Sequence, residues 1–487
     1  MSKRALWILI GAFLVSVAVR APQLNRPLSA HHEYCTAFTL IALTNWYEDG
    51  FAYHHGMPSG GFISEGERFL PPSMSRNDRA TALYYFSHPP LAYDLPYILF
   101  SITRSAPNVA GLQGMNLFFH LVAALGMFFA VKEVVGAGHG RAPLYAAVLY
   151  LFLPATLWFH SNVYMSDMFV QVPWIWHLYF AIRILKTDAK RTASSWIGFT
   201  FSSFLVLYTS WLGVFAMVAA VVAAGWTWRQ HRSTPVLWIV GSCLAATLAA
   251  FSITAWRYLQ VIDAEALMAH FASRFAVRGS FAMSQGLLPL LGQILLNYRI
   301  GFLPIIVLLV FLMMRWWRSD APKQLPAPAR SLFILLTALP VILDHAFLLQ
   351  YAEHDFAALK AAPLFCGSAA IALERMDRMW SRALLALTCL LGVLYFYHTN
   401  PLPGHDGGRY AQEKDLGTFI AANALPNELV FGVGVSTEPQ VAWYARRNVL
   451  GVASAESARA YLTDRGLAFG VVIASQNGRL TATPIAP

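Results

Sequence analysis

Long apolar blocks alternate with short polar segments along most of the chain. A helix of about 17–25 apolar residues is long enough to cross a membrane, and by that measure the chain contains about eleven such blocks. Their centres lie near residues 12, 122, 151, 177, 203, 219, 245, 308, 340, 367 and 390. The pattern therefore predicts a polytopic α-helical membrane protein whose membrane domain spans residues 1–398.

Three regions depart from this pattern. Residues 21–90, called the long loop below, are rich in His, carboxylates, aromatics and Gly, and long loops in compact proteins are usually functional. The apolar run at 91–102 is short for a span and favours a helix in the membrane interface. Residues 399–487, called the C-terminal domain below, alternate helical spacing with short β-rich runs, which predicts a small external α/β domain.

The elements expected in the C-terminal domain can be read individually. Helical spacing indicates helices at 412–424, 439–446 and 455–465, and β-rich runs indicate strands at 429–433, 449–452 and 467–473.

Composition and charge support a membrane protein. The chain is 57% hydrophobic and 12% charged, with a mean hydropathy of +0.49, whereas about a quarter of the residues of a soluble domain are charged. The net charge of +10 does not indicate a nucleic-acid partner, because Lys and Arg cluster in short segments between apolar blocks, as the positive-inside rule predicts for cytoplasmic loops. With the N-terminus in the cytoplasm, the long loop and the C-terminal domain lie outside. A single external cysteine, Cys35, and compact loops favour a multi-pass protein of the bacterial inner (plasma) membrane.

Glu33 is the first candidate for chemistry. A carboxylate at the mouth of a membrane cavity can take a proton from an acceptor hydroxyl, although Glu33 can equally form an ordinary ion pair, for example with Arg26. His31 and His32 can join Glu33 as ligands of a divalent metal, because imidazole and carboxylate suit zinc. Adjacent side chains rarely point the same way, so at most two of the three are expected to share one ion.

Three further groups of polar residues lie at predicted external span ends. Asp167 either caps the following helix or faces the same cavity as Glu33. Arg274, Arg278 and Arg299 lie outside, against the positive-inside trend, and either bind a polyprenyl phosphate or reach to anionic lipid. The third group surrounds His354, and its Lys360 is long enough to reach a phosphate.

Several of these pieces, taken in their order along the chain, resemble the C-type (GT-C) glycosyltransferases, and in particular the protein O-mannosyltransferase and lipid A aminoarabinose transferase-like families. The matching elements are His32-Glu33, His88-Pro89-Pro90-Leu91, Met165-Ser166-Asp167, His354-Asp355-Phe356 with Pro363, and Trp443 to Arg447 in the tail. In those families the early pair is usually Asp-Glu, with the Asp as base. Here His32 holds the position of that Asp, so either Glu33 or His32 is expected to act as the base. The resemblance also implies that Asp167 lines the cavity and that His88, His354, Lys360 and the arginines bind substrate.

The resulting expectation is an inverting transfer of a sugar from a polyprenyl-phosphate monosaccharide to a hydroxyl of a lipid, glycan or protein acceptor. Glu33, assisted by Asp167, would act as base, and the cationic side chains would stabilise the leaving phosphate. Two alternatives remain open at this point. One is a multi-span transporter or flippase, which usually shows internal repeats and polar groups at mid-membrane. The other is a non-catalytic relative of the same fold.

Overall fold

The computed structural model describes residues 1–24, 26–136, 140–186, 191–232, 235–279, 286–318, 328–476 and 478–487. Its N-terminal part contains helices α1 (Lys3–Leu24), α2 (Glu33–Asn45), α3 (Ile63–Phe69), α4 (Arg76–Leu83) and α5 (Leu91–Thr103). The long loop is thus largely helical, and α1 continues past its predicted boundary at residue 21. The apolar run at 91–102 forms a helix, as predicted.

Helices form most of the described residues of the central part. It contains α6 (Val109–Val135), α7 (Ala142–Phe152), α8 (Pro154–Phe159), α9 (Ser166–Phe169), α10 (Gln171–Leu185), α11 (Ala193–Thr209), α12 (Gly213–His231), α13 (Val236–Tyr258), α14 (Ala264–Arg278), α15 (Leu287–Trp317), α16 (Pro328–Phe347), α17 (Ala362–Glu374) and α18 (Arg378–Thr399). Two short 3₁₀ segments, Tyr351–Glu353 and Asp355–Ala361, connect α16 to α17.

Each predicted span centre lies within one of these helices. Among the described residues, eight helical segments are long and apolar enough to cross a membrane. Three other helices at predicted centres, α7, α11 and α12, fall short of that length or apolarity. The polytopic α-helical architecture is therefore confirmed, whereas the count of eleven spans stays a prediction.

The C-terminal domain contains every element expected there and one more. Its elements are α19 (Gln412–Asn423), β1 (Leu429–Val433), α20 (Pro439–Ala445), β2 (Val449–Gly451), α21 (Ala455–Arg465), β3 (Gly470–Gln476) and β4 (Arg479–Ile485). The sheet order is β2-β1-β3-β4, with β1 parallel to both neighbours and β4 antiparallel to β3. The additional strand is β4, which pairs Gly470 with Ile485 and Gln476 with Arg479.

The long loop packs against the C-terminal domain. The Asn448 side chain accepts from the backbone N–H of Phe62 and donates to the Phe62 carbonyl, both at 2.8 Å. Tyr444 accepts a hydrogen bond from the Leu28 backbone at 2.8 Å, and Ser29 donates to the Tyr410 carbonyl at 2.7 Å. Buried polar groups need such partners, so these bonds fix the two regions as one layer over the helix ends.

Helices α11 and α13 anchor the start of α5, and α13 also anchors the segment that precedes it. Arg257 donates to both carboxylate oxygens of Asp94, at 2.7 and 3.1 Å, and Tyr208 donates to the same carboxylate at 3.1 Å. Tyr258 donates to the backbone carbonyl of His88 at 2.7 Å. A forked guanidinium–carboxylate pair restricts geometry as well as adding energy, so these contacts hold the His88 segment against the membrane helices.

Candidate active site

A polar cavity of about 190 Å³ lies where the long loop meets the ends of the membrane helices. Its walls come from the start of α2, the segment before α5, the helix α9 and the 3₁₀ segments after α16. Four side chains that the sequence singled out line it, namely His88, Asp167, Arg278 and His354. Residues distant in the sequence therefore converge on one pocket.

Asp167 supplies the carboxylate of this cavity. It lies in the short helix α9, which follows an extended residue at Met165, and its side chain is buried. Tyr351 donates its hydroxyl to Oδ2 of Asp167 at 2.8 Å. Oδ1 has no hydrogen-bond partner within the described part of the chain. Tyr351 thus holds one oxygen in place, and the other is buried without a hydrogen bond among the described residues.

Tyr351 remains a hydrogen-bond donor in this environment. Burial, followed by the charge of Asp167, raises the pKa of its phenol well above the ordinary value. The guanidinium carbon of Arg278 lies 5.0 Å from the centre of the Tyr351 ring, a distance at which a cation is attracted to an aromatic face. Tyr351 therefore links the carboxylate of the cavity to its arginine.

An apolar groove of about 310 Å³ joins the polar cavity. His88, Arg278 and Tyr351 line both spaces, and Arg274 lines the groove. The remaining groove walls are mostly apolar and include Trp211, Leu212, Phe251, Phe271, Phe275 and Leu348. A long apolar chain in this groove would end at two guanidinium groups and a polar cavity.

Arg299 does not take part in this arrangement. Its side chain is exposed on α15, and it is not among the described residues that line the groove or the polar cavity. The sequence grouped Arg299 with Arg274 and Arg278 because all three lie in one predicted external segment. In the structure, Arg274 and Arg278 line the groove, whereas Arg299 does not.

Lys360 occupies a different place from the one expected. Its buried ammonium lies 3.8 Å from Oδ1 of Asp167 and 3.6 Å from Oδ2 of Asp344, and it is not among the described residues lining the polar cavity. The sequence predicted that Lys360 reaches a phosphate, but the structure uses its charge to neutralise two buried carboxylates. Such pairing offsets part of the cost of burying charge.

The Glu33 carboxylate is also bound by groups outside the polar cavity. Its fully buried carboxylate accepts from both terminal nitrogens of Arg26, at 2.8 and 2.6 Å, and from the backbone N–H groups of Ser29 and Ala30 at 2.8 and 2.9 Å. Arg26 in turn stacks 3.9 Å over the Tyr410 ring. The expected placement of Glu33 beside Asp167 is therefore wrong, and the alternative ion pair with Arg26 is present, but buried.

The structure also separates Glu33 from the other two predicted metal ligands, His31 and His32. His31 and His32 approach one another, but their shared carboxylate is Asp355 rather than Glu33, at 3.2 Å from His31 and 2.7 Å from His32. Glu33 begins α2 and points into the Arg26 pair instead. The two histidines and Asp355 line a third space of about 450 Å³, called the outer cavity below, which shares His354 with the polar cavity.

Three important positions carried no functional assignment from the sequence. Asp355 was noted only within one element of the family resemblance, and Tyr351 and Asp344 were given no role. A signal for Asp344 exists, because an ionisable residue inside an apolar block merits a functional hypothesis. No local signal pairs Asp355 with the two histidines, since more than three hundred residues separate them.

His88 is neutral near pH 7 despite lying 3.9 Å from Asp167. Burial is the largest cause and lowers the pKa of its imidazole to about 4; Asp167 opposes this shift, and Arg278, Lys360 and Arg274 add to it. The burial and the three cations outweigh the single carboxylate. His88 therefore acts in the cavity as a neutral hydrogen-bonding group.

This shift predicts a pH dependence of stability. Because the unfolded chain takes up a proton near the ordinary histidine pKa and the folded chain does not, stability falls as the pH drops from about 6.5 to about 4, by about 3 kcal/mol for this group. Melting temperatures measured across that window should fall less in His88→Gln than in the wild type. His405→Gln, at an exposed histidine, should behave like the wild type. Equal slopes for His88→Gln and the wild type would contradict the assignment.

No protein-family model matches the chain, and no curated protein matches it in sequence. Solved structures match its fold. ArnT from Cupriavidus metallidurans bound to undecaprenyl phosphate aligns with a TM-score of 0.63 at 15% identity over 97% of this chain and 92% of that chain. The apo form of the same protein aligns with a TM-score of 0.61 at 15% identity, over 98% and 94%.

A second kind of protein is also similar. The archaeal oligosaccharyltransferase AglB from Archaeoglobus fulgidus, in complex with an inhibitory peptide and a dolichol-phosphate, aligns with a TM-score of 0.55 at 13% identity, over 97% of this chain and 69% of that chain. ArnT, a lipid A aminoarabinose transferase, and AglB are both C-type glycosyltransferases. Over nearly its whole length, the chain therefore has the fold of the C-type glycosyltransferases.

Proposed function

We propose that the protein is an inverting glycosyltransferase that moves a sugar from a polyprenyl-phosphate monosaccharide to an acceptor hydroxyl outside the bacterial inner membrane. The observation that carries this proposal is the junction of an apolar groove with a polar cavity at His88, Arg278 and Tyr351. A polyprenyl-phosphate sugar has the same order of parts: an apolar chain, an anionic phosphate and a polar sugar. The C-terminal domain would lie on the same outer side.

The donor is proposed to bind with its isoprenoid chain in the groove. Arg274 and Arg278 would then hold the phosphate, because guanidinium groups bind phosphate through paired hydrogen bonds. Positive charge at this point also favours departure of the phosphate when its bond to the sugar breaks. The lipids bound to the structural neighbours support this choice, since one ArnT structure contains undecaprenyl phosphate and the AglB structure is a complex with a dolichol-phosphate.

Asp167 is proposed as the general base. Its carboxylate would take the proton of the acceptor hydroxyl, whose oxygen attacks the anomeric carbon while the bond from that carbon to the phosphate oxygen breaks. Polyprenyl phosphate leaves with the bonding electrons, and one displacement inverts the anomeric centre. Glu33 is held by Arg26 and two backbone donors, and His32 is held by Asp355, whereas Asp167 lines this cavity and is therefore the candidate base.

The acceptor is proposed to approach from the outer cavity. His354 borders both the outer and the polar cavity, and its ring stacks on Phe356 with centroids 5.0 Å apart. An acceptor arriving from this side would meet the sugar opposite the groove. Donor phosphate and acceptor hydroxyl would then lie on opposite faces of the anomeric carbon, as a single displacement requires.

Lipid binding gives a direct test of the donor site. Arg278→Gln is expected to weaken binding of undecaprenyl phosphate by about tenfold to a hundredfold, because hydrogen bonds to charged groups are worth about 1.5–3 kcal/mol. Arg299→Gln is the matched control, since Arg299 is exposed and away from the groove. Affinity should be measured in detergent or nanodiscs at fixed salt. Equal loss in both variants would argue against a specific phosphate site at Arg278.

Activity is tested by release of the carrier. Purified protein in vesicles should release free undecaprenyl phosphate when supplied with undecaprenyl-phosphate sugars and an envelope glycolipid extract. A flippase would move the lipid-linked sugar across the vesicle membrane without releasing the carrier. A non-catalytic relative would bind the lipid and do neither. The proposal is supported if the wild type releases the carrier and a variant with Asp167 replaced does not.

A further inference from the structure

Two adjacent imidazoles and one carboxylate converge at the edge of the outer cavity. Nε2 of His31 lies 3.2 Å from one oxygen of Asp355, and Nε2 of His32 lies 2.7 Å from the other. The three potential ligand atoms all lie within 4.8 Å of one another. Their accessibility is graded, because His32 is buried, Asp355 is mostly covered and His31 is exposed. The cluster therefore has a fixed inner side and an open outer side.

The backbone at His32 makes this convergence possible. Neighbouring side chains in an extended or helical segment point in different directions, so an adjacent pair seldom shares one ion. His32 has φ of 60° and ψ of 2°, the left-handed conformation that is unfavourable for a residue with a Cβ atom. This conformation brings the His31 and His32 ring centres to 3.7 Å. Both Nε2 atoms can therefore face the same carboxylate.

The spacing is close to that of a metal site. Ligands around tetrahedral zinc, at bond lengths of about 2.0–2.1 Å, lie about 3.3 Å from each other. The distance of 3.2 Å from His31 to one oxygen of Asp355 already matches, and the distance of 2.7 Å from His32 to the other oxygen must open by less than an ångström. The widest pair of ligand atoms, within 4.8 Å, must close by up to about 1.5 Å. Two imidazoles favour zinc and similar transition metals over magnesium or calcium, which prefer oxygen ligands.

We propose that His31, His32 and Asp355 bind one divalent metal ion of the zinc class. Three protein ligands leave a fourth position, as in zinc sites that bind water or substrate. That position would be open to the outer cavity, because the same three residues line it. The ion would also tie the start of the long loop to the segment before α17. This site does not depend on the proposed function, because it is separate from the groove and from Asp167.

Metal content of the full-length protein tests the proposal. Protein purified through a tag that contains no histidine should be incubated with zinc sulfate, desalted and assayed by elemental mass spectrometry. The wild type is expected to hold about one zinc ion per chain, whereas His31→Ala and Asp355→Asn should lose it. His31 is exposed, so its removal should not prevent folding.

The chain supplies matched controls for both variants. Asp49→Asn breaks another imidazole–carboxylate pair, because Nε2 of His54 lies 3.0 Å from Asp49, and no third ligand joins that pair among the described residues. His55→Ala removes another exposed histidine of the long loop. Both controls should retain zinc at the wild-type level.

A second readout follows from linkage between binding and folding. Zinc should raise the melting temperature of the wild type and of Asp49→Asn, and a chelator should reverse the increase, whereas Asp355→Asn should respond to neither. Absence of stoichiometric zinc in the wild type would overturn the proposal. Retention of zinc by either His31→Ala or Asp355→Asn would overturn the three-ligand set. Neither result would affect the phosphate-binding test at Arg278.

Discussion

Asp167→Asn is expected to slow sugar transfer by about 10²–10⁴-fold, the usual contribution of a general base. The asparagine keeps the shape of the side chain and can still accept the hydrogen bond from Tyr351, which is 2.8 Å long in the wild type. It cannot take the proton of an acceptor hydroxyl. The loss should therefore appear in the rate of carrier release at saturating donor, with little change in the affinity for undecaprenyl phosphate.

Asp344→Asn separates this chemical effect from loss of an ion pair. Asp344 is buried and lies beside the same ammonium of Lys360, but it is not among the described residues that line the polar cavity. Its replacement should lower the melting temperature while leaving much more activity than Asp167→Asn leaves. If Asp167→Asn transfers sugar at the wild-type rate, Asp167 is not the base. If both variants lose activity equally, the charge balance around Lys360 is responsible.

Glu33→Gln should destabilise the protein by about 3–5 kcal/mol, because it leaves a buried guanidinium without its counter-charge. Both side chains of this pair are almost fully buried, at 2% exposure for Arg26 and 0% for Glu33. The pair also joins the end of α1 to Tyr410 of the C-terminal domain through the stacked arginine. Thermal unfolding in detergent should show a large decrease in melting temperature.

A charge-free double variant provides the control for this interpretation. Arg26→Gln combined with Glu33→Gln removes both buried charges, so it should recover part of the stability that Glu33→Gln alone loses. Glu67→Gln, at an exposed carboxylate of the long loop, should leave the melting temperature unchanged. A Glu33→Gln protein that is as stable as the wild type but cannot transfer sugar would restore Glu33 as the base.

These two predictions distinguish carboxylates that the sequence could not separate. Glu33 lies near the start of the long loop and Asp167 at a predicted span end, and both match elements of the C-type glycosyltransferase pattern. Arg26 is seven residues from Glu33, so a local ion pair was foreseeable, whereas its burial was not. The burial comes from Trp158 and Tyr410, whose rings lie 5.9 and 3.9 Å from the Arg26 guanidinium. Those residues reach Arg26 only after the helices and the C-terminal domain have packed.

Local patterns determined the secondary structure of this protein. The apolar blocks indicated helices at each predicted centre, and in the C-terminal domain β1 and α21 were predicted with the bounds that they have. In a helix or strand, the backbone hydrogen bonds and the buried face involve residues that are close in the sequence. The spacing of apolar residues therefore predicts these elements. Strand β4 was missed because its segment, Arg-Leu-Thr-Ala-Thr-Pro-Ile, has few large apolar residues and forms an edge strand that β3 stabilises.

The sequence alone also selected four side chains of the site, since His88, Asp167, Arg278 and His354 all line the polar cavity. Tertiary packing decided their partners. Lys360 lies between Asp167 and Asp344, and Asp355 replaces Glu33 beside the two histidines. Such pairings depend on the rotation and depth of helices that are hundreds of residues apart. No local pattern records these quantities, because a shift of one residue along a helix turns its side chain by about 100° and removes the contact.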